Sequence, residues 1–225
     1  MPGLKNFVAV DWRSGPDRIY FFFKDTDTYS RYDIGEEKLL KGYPATVKNH
    51  WHTFEPHARN LRFGFTTTSL GQGLASDEDI AWLFFYNAGV PTVCKYDQDA
   101  DKVVAFYNVE NSIWAPLLPY FDKIVCGTWW QRLGYKFLFK FLTRDGQWLT
   151  YNYIKRKVTV APVTGGLERY KDRIITAAQN DRTFADSHWY FFLTENQYLT
   201  FNLQTSKLLG GPANIDGKWP ELSQG

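Results

Sequence analysis

"IYFFFKDTDTYSRYD" (residues 19–33) decides how this chain is read. An aromatic run meets a polar turn, "KDTDT". Tyr29, Arg31 and Asp33 then alternate with Ser30 and Tyr32. Period-two alternation marks a strand, and sheets favour aromatic side chains. The phrase returns three times, as "WLFFYNAGVPTVCKYD" (82–97), "KFLFKFLTRDGQWLTYN" (136–152) and "YFFLTENQYLTFN" (190–202). The copies end at Tyr32-Asp33, Tyr96-Asp97, Tyr151-Asn152 and Phe201-Asn202, spaced 64, 55 and 50 residues apart.

The segment downstream of each copy repeats as well. Lys38, Lys102, Lys157 and Lys207 each precede a short apolar run, then a turn holding Pro44, Asn108, Pro162 or Pro212. A shared aromatic comes next: Trp51, Trp114, Tyr170 and Trp219, at 18, 17, 18 and 17 residues from the Asp or Asn. Upstream, Phe7, Leu61, Ile124 and Ile175 each stand three residues before a small or slim residue: Val10, Gly64, Gly127 and Ala178. One unit therefore reads as a short strand, two strands around a polar turn, a fourth short strand, and a terminal segment with the aromatic and a helical turn. Such a sheet has two apolar faces and cannot bury them alone. Four units set radially bury each face against the next. The expected fold is all-β, a single four-bladed β-propeller whose blades are four-stranded antiparallel sheets. Its blades run roughly over 6–58, 59–120, 121–172 and 173–225. Small residues are expected where the first strands crowd the axis.

Composition agrees. Of 225 residues, 44% are hydrophobic and 18% aromatic, enough for a substantial core. The formal charge is +2, and the densest basic cluster is Lys155, Arg156 and Lys157, so nucleic acid is not an expected partner. No apolar run approaches a membrane span, so no membrane partner is expected either. Two cysteines, Cys94 and Cys126, are too few for a secreted disulfide framework. There is no signal-like apolar stretch and no Asn-x-Ser/Thr sequon. The expected location is cytoplasmic, with free thiols.

These repeats resemble the hemopexin-like family. The first copy comes closest, with "IYFFFKDTDTYSRYD" and "KGYPATVKNHW". The fourth is next, with "YFFLTENQYLTFN" and "DGKWPEL". The resemblance is to stand-alone four-repeat relatives such as seed albumin-2 and small fungal and bacterial proteins. The form appended to matrix metalloproteinases closes its ring with a disulfide between first and last blades. Here the cysteines fall in blades two and three, so closure must come from packing. The resemblance implies a binder of haem, polyamine or carbohydrate, and self-association as a homodimer. It also implies ions on the axis, held by backbone carbonyls of the first strands. At those head positions the family's acidic residues are replaced by Val8, Arg62, Val125 and Thr176. Backbone ligation does not need the acid, so Ca²⁺, Na⁺ or Cl⁻ stays compatible. Arg62 argues against a tight cation site.

Candidate chemistry is sparse. His50, His52 and His57 cluster in "HWHTFEPH" and are the haem or metal candidates. "GQG" (71–73) lacks the strand–glycines–helix context of a nucleotide site; it sits in a long loop expected to cover one mouth of the channel. No nucleophile elbow is present, and Glu36-Glu37 and Asp77-Glu78-Asp79 read as solvated loops. Trp51, Trp114 and Trp219 occupy the repeated column and read as blade packing. Trp12, Trp129 and Trp130 come after first strands. They are expected to line a channel mouth together with Asp11, Arg62, Thr128, Gln179 and Asn180. The expected function is non-enzymatic binding of a small molecule or glycan in the channel or its mouth. The alternatives are an enzyme that folds a polyunsaturated molecule for cyclisation or cycloaddition, and a protein–protein docking module.

Overall fold

The computed structural model describes residues 4–70, 78–131, 137–180 and 187–222. Blade 1 holds β1 (Phe7–Trp12), β2 (Arg18–Phe23), β3 (Thr28–Asp33) and a split outer edge of β4 (Lys38–Leu39) and β5 (Ala45–Thr46). Blade 2 holds β6 (Leu61–Thr68), β7 (Asp79–Asn87), β8 (Val90–Asp97) and β9 (Lys102–Asn108). Blade 3 holds β10 (Ile124–Trp129), β11 (Leu138–Thr143), β12 (Gln147–Asn152) and β13 (Lys157–Pro162). Blade 4 holds β14 (Ile174–Gln179), β15 (His188–Leu193), β16 (Gln197–Asn202) and β17 (Lys207–Asn214). Each is an antiparallel meander with neighbours in chain order. The first strands form the hub: β1 packs on β6, β6 on β10, β10 on β14, and β14 back on β1. This is a four-bladed β-propeller. Among the described residues, no helix is long and apolar enough to cross a membrane.

Local sequence explains the strand ends. Ala88 and Gly89 both take positive φ in the two-residue turn between β7 and β8, the backbone a tight hairpin needs. The outer edge of blade 1 breaks at Gly42–Tyr43–Pro44, where Gly42 has φ +91° and Pro44 has no N–H for the ladder.

Four apolar clusters fill the four gaps between blades. Each contains the aromatic of the repeated column. Trp51 lies between blades 1 and 2 and Trp114 between 2 and 3. Tyr170, partly buried, packs between 3 and 4, and Trp219 lies between 4 and 1. Short helical turns stand beside these residues, over Glu55–Asn60, Ala115–Tyr120, Leu167–Arg173 and Ile215–Lys218. Cys94 and Cys126 are buried free thiols, and burial pushes both up from the ordinary thiol range.

The hub corrects one sequence alignment. Ladder partners place Ala9, not Val10, level with Gly64 and Gly127, and Ala177, not Ala178, completes that tier. The slip has a physical cause. Bulges at Arg62, Val125 and Ile175 add one residue to three inner strands, and β1 has none. The same slip separates the head positions: Arg62 and Val125 are bulge residues, whereas Val8 and Thr176 are paired in the ladder. These four carbonyl groups therefore do not belong to one tier. The crowding is real. A Cβ on Gly127 would come within 2.4 Å of the Phe141 ring, and one on Gly64 within 2.9 Å of Val10.

Closure between the last and first blades rests on Trp219. Its ring lies 4.8 Å from Tyr32, 6.0 Å from Phe21, 5.0 Å from Tyr190 and 5.3 Å from Phe192. We expect Trp219→Ala to cost about 3–5 kcal/mol, the usual loss for a buried tryptophan. A thiol reductant should leave stability unchanged. Chemical denaturation tracked by fluorescence and circular dichroism checks both.

Candidate functional site

The two ends of the axis differ in chemistry. At the tail end, where the inner strands finish, the sequence candidates form a packed polar plug. Asp11 is 2% exposed. Its Oδ1 accepts the Thr66 N–H at 3.1 Å and its Oδ2 accepts Arg13 Nε at 3.3 Å. Gln98 ties the pair down: its Oε1 accepts the N–H of Arg13 at 2.9 Å and its Nε2 donates to Thr66 Oγ1 at 2.8 Å. Arg13 then reaches blade 3, with its guanidinium 5.2 Å from the centre of the Trp129 ring and Nη1 donating to Gln131 at 3.2 Å. Thr128 donates to Gln179 Oε1 at 2.5 Å, joining blades 3 and 4. Gln179 Nε2 is buried with no acceptor among the described residues. Asn180 Oδ1 accepts the His188 N–H at 2.8 Å, within its own blade.

The three tryptophans expected at a mouth are packed instead. Trp12 stacks on Tyr20 at 4.2 Å and meets Trp51 edge-on at 5.8 Å. Trp129 is 2% exposed, under Arg13. Trp130 is half-buried, with the Lys140 ammonium 4.8 Å from its ring centre. All three pack into the apolar clusters between blades, Trp12 from a strand without a bulge and Trp129 from one with a bulge at Val125. The "GQG" loop and Asp77 lie outside the described residues.

Arg62 is not part of this group. It sits at the head end, where the inner strands begin. Thr66 lies four steps further along β6, roughly 13 Å away at about 3.3 Å per residue. There it lines a cavity of about 330 Å³ with Lys24, Arg144, Ile124, Val125, Ile174 and Ile175. Three blades each supply one cation: Lys24 comes directly after β2, Arg62 is the β6 bulge, and Arg144 comes directly after β11. Blade 4 supplies the apolar wall of Ile174 and Ile175.

The cations are poorly compensated. Arg62 Nη2 donates to the Asp122 carbonyl at 3.0 Å, and its guanidinium lies 5.4 Å from the Tyr86 ring centre. Arg62 Nε is buried and has no acceptor among the described residues. The Asp122 carboxylate is itself taken by the Tyr86 hydroxyl. Asp25, beside Lys24 in sequence, accepts Asn6 Nδ2 at 2.6 Å. Burial, then the Arg62 charge, hold the Lys24 ammonium below its usual range. Burial also lowers Arg62, with Arg144 adding repulsion. A pocket ringed by three cations has the charge to attract an anion.

Sequence reasoning found Arg62 but missed Lys24 and Arg144. A signal was present. Lys24, Tyr86, Arg144 and Thr194 each stand one step past the second-strand partner of an inner strand's first residue, and two of the four are basic.

The histidines are not gathered into a ligand set. His50 Nδ1 lies 2.9 Å from the Thr46 carbonyl, His52 is exposed, and His57 lies against Phe85 at 4.6 Å. Burial lowers His57 from the ordinary imidazole range. Among the described residues no group of three or more His, Cys, Asp or Glu is placed to hold a metal ion.

No protein-family model matches the chain, and no curated protein matches it. Solved structures resemble it only loosely. A Bacteroides thetaiotaomicron structural-genomics protein of unknown function is 9% identical with a TM-score of 0.36, over 89% of this chain and 42% of that one. The Dos1 propeller is 9% identical with a TM-score of 0.30, over 90% and 45%. This chain spans less than half the length of either. The class of the protein, a four-bladed propeller plugged at one end and cationic at the other, therefore stands on its own sheet order and side chains.

The plug yields a test of its own. Asp11→Ala leaves Arg13 buried without its carboxylate. We expect a loss of about 3–5 kcal/mol, as for breaking one partner of a buried ion pair. Equilibrium urea unfolding of the variant against the parent measures it.

Proposed function

We propose that this protein is a non-enzymatic binder of a small anion, taken in the head-end cavity. The carrying observation is the convergence of Lys24, Arg62 and Arg144, from three blades, on one cavity of about 330 Å³. A bound carboxylate or phosphate relieves their mutual repulsion and receives charge-assisted hydrogen bonds. Of the ligand classes that the family resemblance implies, polyamine is the one this lip opposes, because a polycation meets three like charges. The cyclising-enzyme reading needs an open aromatic channel, and the tryptophans that suggested one are packed. A stand-alone hemopexin-like relationship and a cytoplasmic location are part of the same proposal. Their support is the four Tyr-Asp-type repeats, closure by packing, and two buried free thiols.

Thermal shift and calorimetry with inorganic phosphate, citrate and spermidine at matched ionic strength test the reading. We expect the two anions to bind and stabilise and spermidine to do neither. Arg144 is exposed, so Arg144→Gln should fold normally and weaken anion binding about tenfold, the ~1.4 kcal/mol of one charged contact. Anions that bind no better than spermidine, or an Arg144→Gln variant that binds equally well, would overturn the reading.

The pH dependence has a definite sign. Lys24 binds the anion as ammonium, and its proton is held less tightly than usual. Affinity should fall as pH rises through that lowered value, before the ordinary lysine range is reached. Lys24→Arg should remove this limb, because guanidinium keeps its charge. Calorimetric titrations across neutral to alkaline pH provide the check.

A further inference from the structure

We infer that Lys24 captures small carbonyl-bearing anions, such as aldehyde or α-keto carboxylates, as a covalent imine. The inference rests on the anion-site reading and adds a chemical step to it.

Lys24 differs from the other lysines in its surroundings. Lys38, Lys95, Lys123 and Lys218 are each ion-paired with a carboxylate. Lys140 is held over Trp130 and Trp148 and donates to Ser206 at 3.0 Å. Lys24 is half-buried on the wall of the head cavity, where neither a hydrogen bond nor an ion pair from the described residues engages its ammonium. Its main chain is fixed at the lip, because its N–H donates to the Asn6 carbonyl at 3.0 Å.

The neighbours divide the work. Arg62 and Arg144 stay charged at any working pH, so they can hold a carboxylate without competing as nucleophiles. Lys24 alone among the three can shed its proton. The charged groups acting on it are Arg62, which favours the neutral amine, and Asp25, which opposes it. An amine next to a cation and partly desolvated is the standard arrangement for an imine-forming lysine. Ile174, Ile175 and Val125 give the cavity an apolar side.

The step balances without a redox partner. The neutral Nζ lone pair attacks the carbonyl carbon, and one of the two nitrogen protons passes to the carbonyl oxygen to give a carbinolamine. Nitrogen then loses its remaining proton as the hydroxyl leaves, and one water is released for each C=N bond formed. The carboxylate keeps its charge and stays paired with the arginines throughout.

The test uses glyoxylate, an anionic aldehyde, against propanal, a neutral one, each trapped with cyanoborohydride. Intact mass counts the adducts, and peptide mapping places them. We expect glyoxylate to modify Lys24 first, at least about tenfold faster than the exposed Lys41, with a rate that rises with pH below the usual lysine range. Propanal should show no such preference. Lys24→Arg should abolish the fast adduct, and Arg144→Gln should slow it about tenfold, the loss of one charged contact. Phosphate binding is measured on the same preparation. If phosphate binds and Lys24 labels no faster than Lys41, the imine inference fails while the anion site stands. If phosphate does not bind, the underlying site reading fails. Equal labelling of Lys24 by both aldehydes would also overturn anion-guided capture.

Discussion

Contacts between residues almost two hundred positions apart hold this ring shut. The N–H of Leu4 donates to Asn196 Oδ1 at 2.9 Å, and the Tyr32 hydroxyl donates to the Lys218 carbonyl at 2.5 Å. Between them Trp219 fills the gap from blade 4 to blade 1. No disulfide assists, since the two thiols are free and lie in blades 2 and 3. Every other blade interface joins neighbours in sequence and forms at modest entropic cost. Only this one must close a loop the length of the chain, a cost that grows slowly with length and is offset by apolar burial. The rest of the molecule inherits its geometry from that closure. The plug joins blade 1 to 2, 1 to 3 and 3 to 4, and the cationic lip draws on blades 1, 2 and 3.

Closure explains why the two ends can differ so much. The tail end joins blades through buried polar groups: Asp11, Thr66, Arg13, Gln98, Thr128 and Gln179. Such a network is worth having only where its partners are held in place, because a buried polar group left without one is costly. The head end does the reverse. Bulges there turn residues out of the ladder and set Arg62, Val125 and Ile175 around an opening. One end thus carries polar groups that mostly satisfy one another, and the other carries charges short of partners.

The fold was legible because a repeat reports architecture four times over. One hairpin could belong to many folds, but four with the same trailing aromatic at 17 or 18 residues need a radial arrangement. Trp51, Trp114 and Trp219 were readable as packing for the same reason. The site was far less legible. Trp12 and Trp129 carried aromatic surface, but sequence does not say which way a side chain turns at a strand end. A single bulge reverses that direction, and the small-residue tier slipped by one because β1 lacks the bulge and because Ile175, the residue counted from in blade 4, is itself the bulge. Lys24 and Arg144 were hidden because each sits in an ordinary-looking polar turn, "KDTDT" and "TRDGQ". Their meaning comes only from the ring, which brings those turns and the Arg62 bulge to one opening.

That convergence bears on why the lip can be selective. Three like charges on a flexible chain would move apart and solvate separately. Here each is anchored to a different blade, and the blades are fixed by four apolar interfaces. The repulsion is therefore retained in the unliganded protein. On the proposed reading, an anion entering the cavity would release it without first having to gather the charges, which is the advantage of a preorganised electrostatic site. That ligand would tie blades 1, 2 and 3 together, while blade 4 contributes only Ile174 and Ile175 to the lining. Blade 4 is also the blade that Trp219 locks to blade 1. The cationic lip and the tryptophan thus occupy complementary parts of one ring, the lip spanning three blades at the head and the tryptophan the seam.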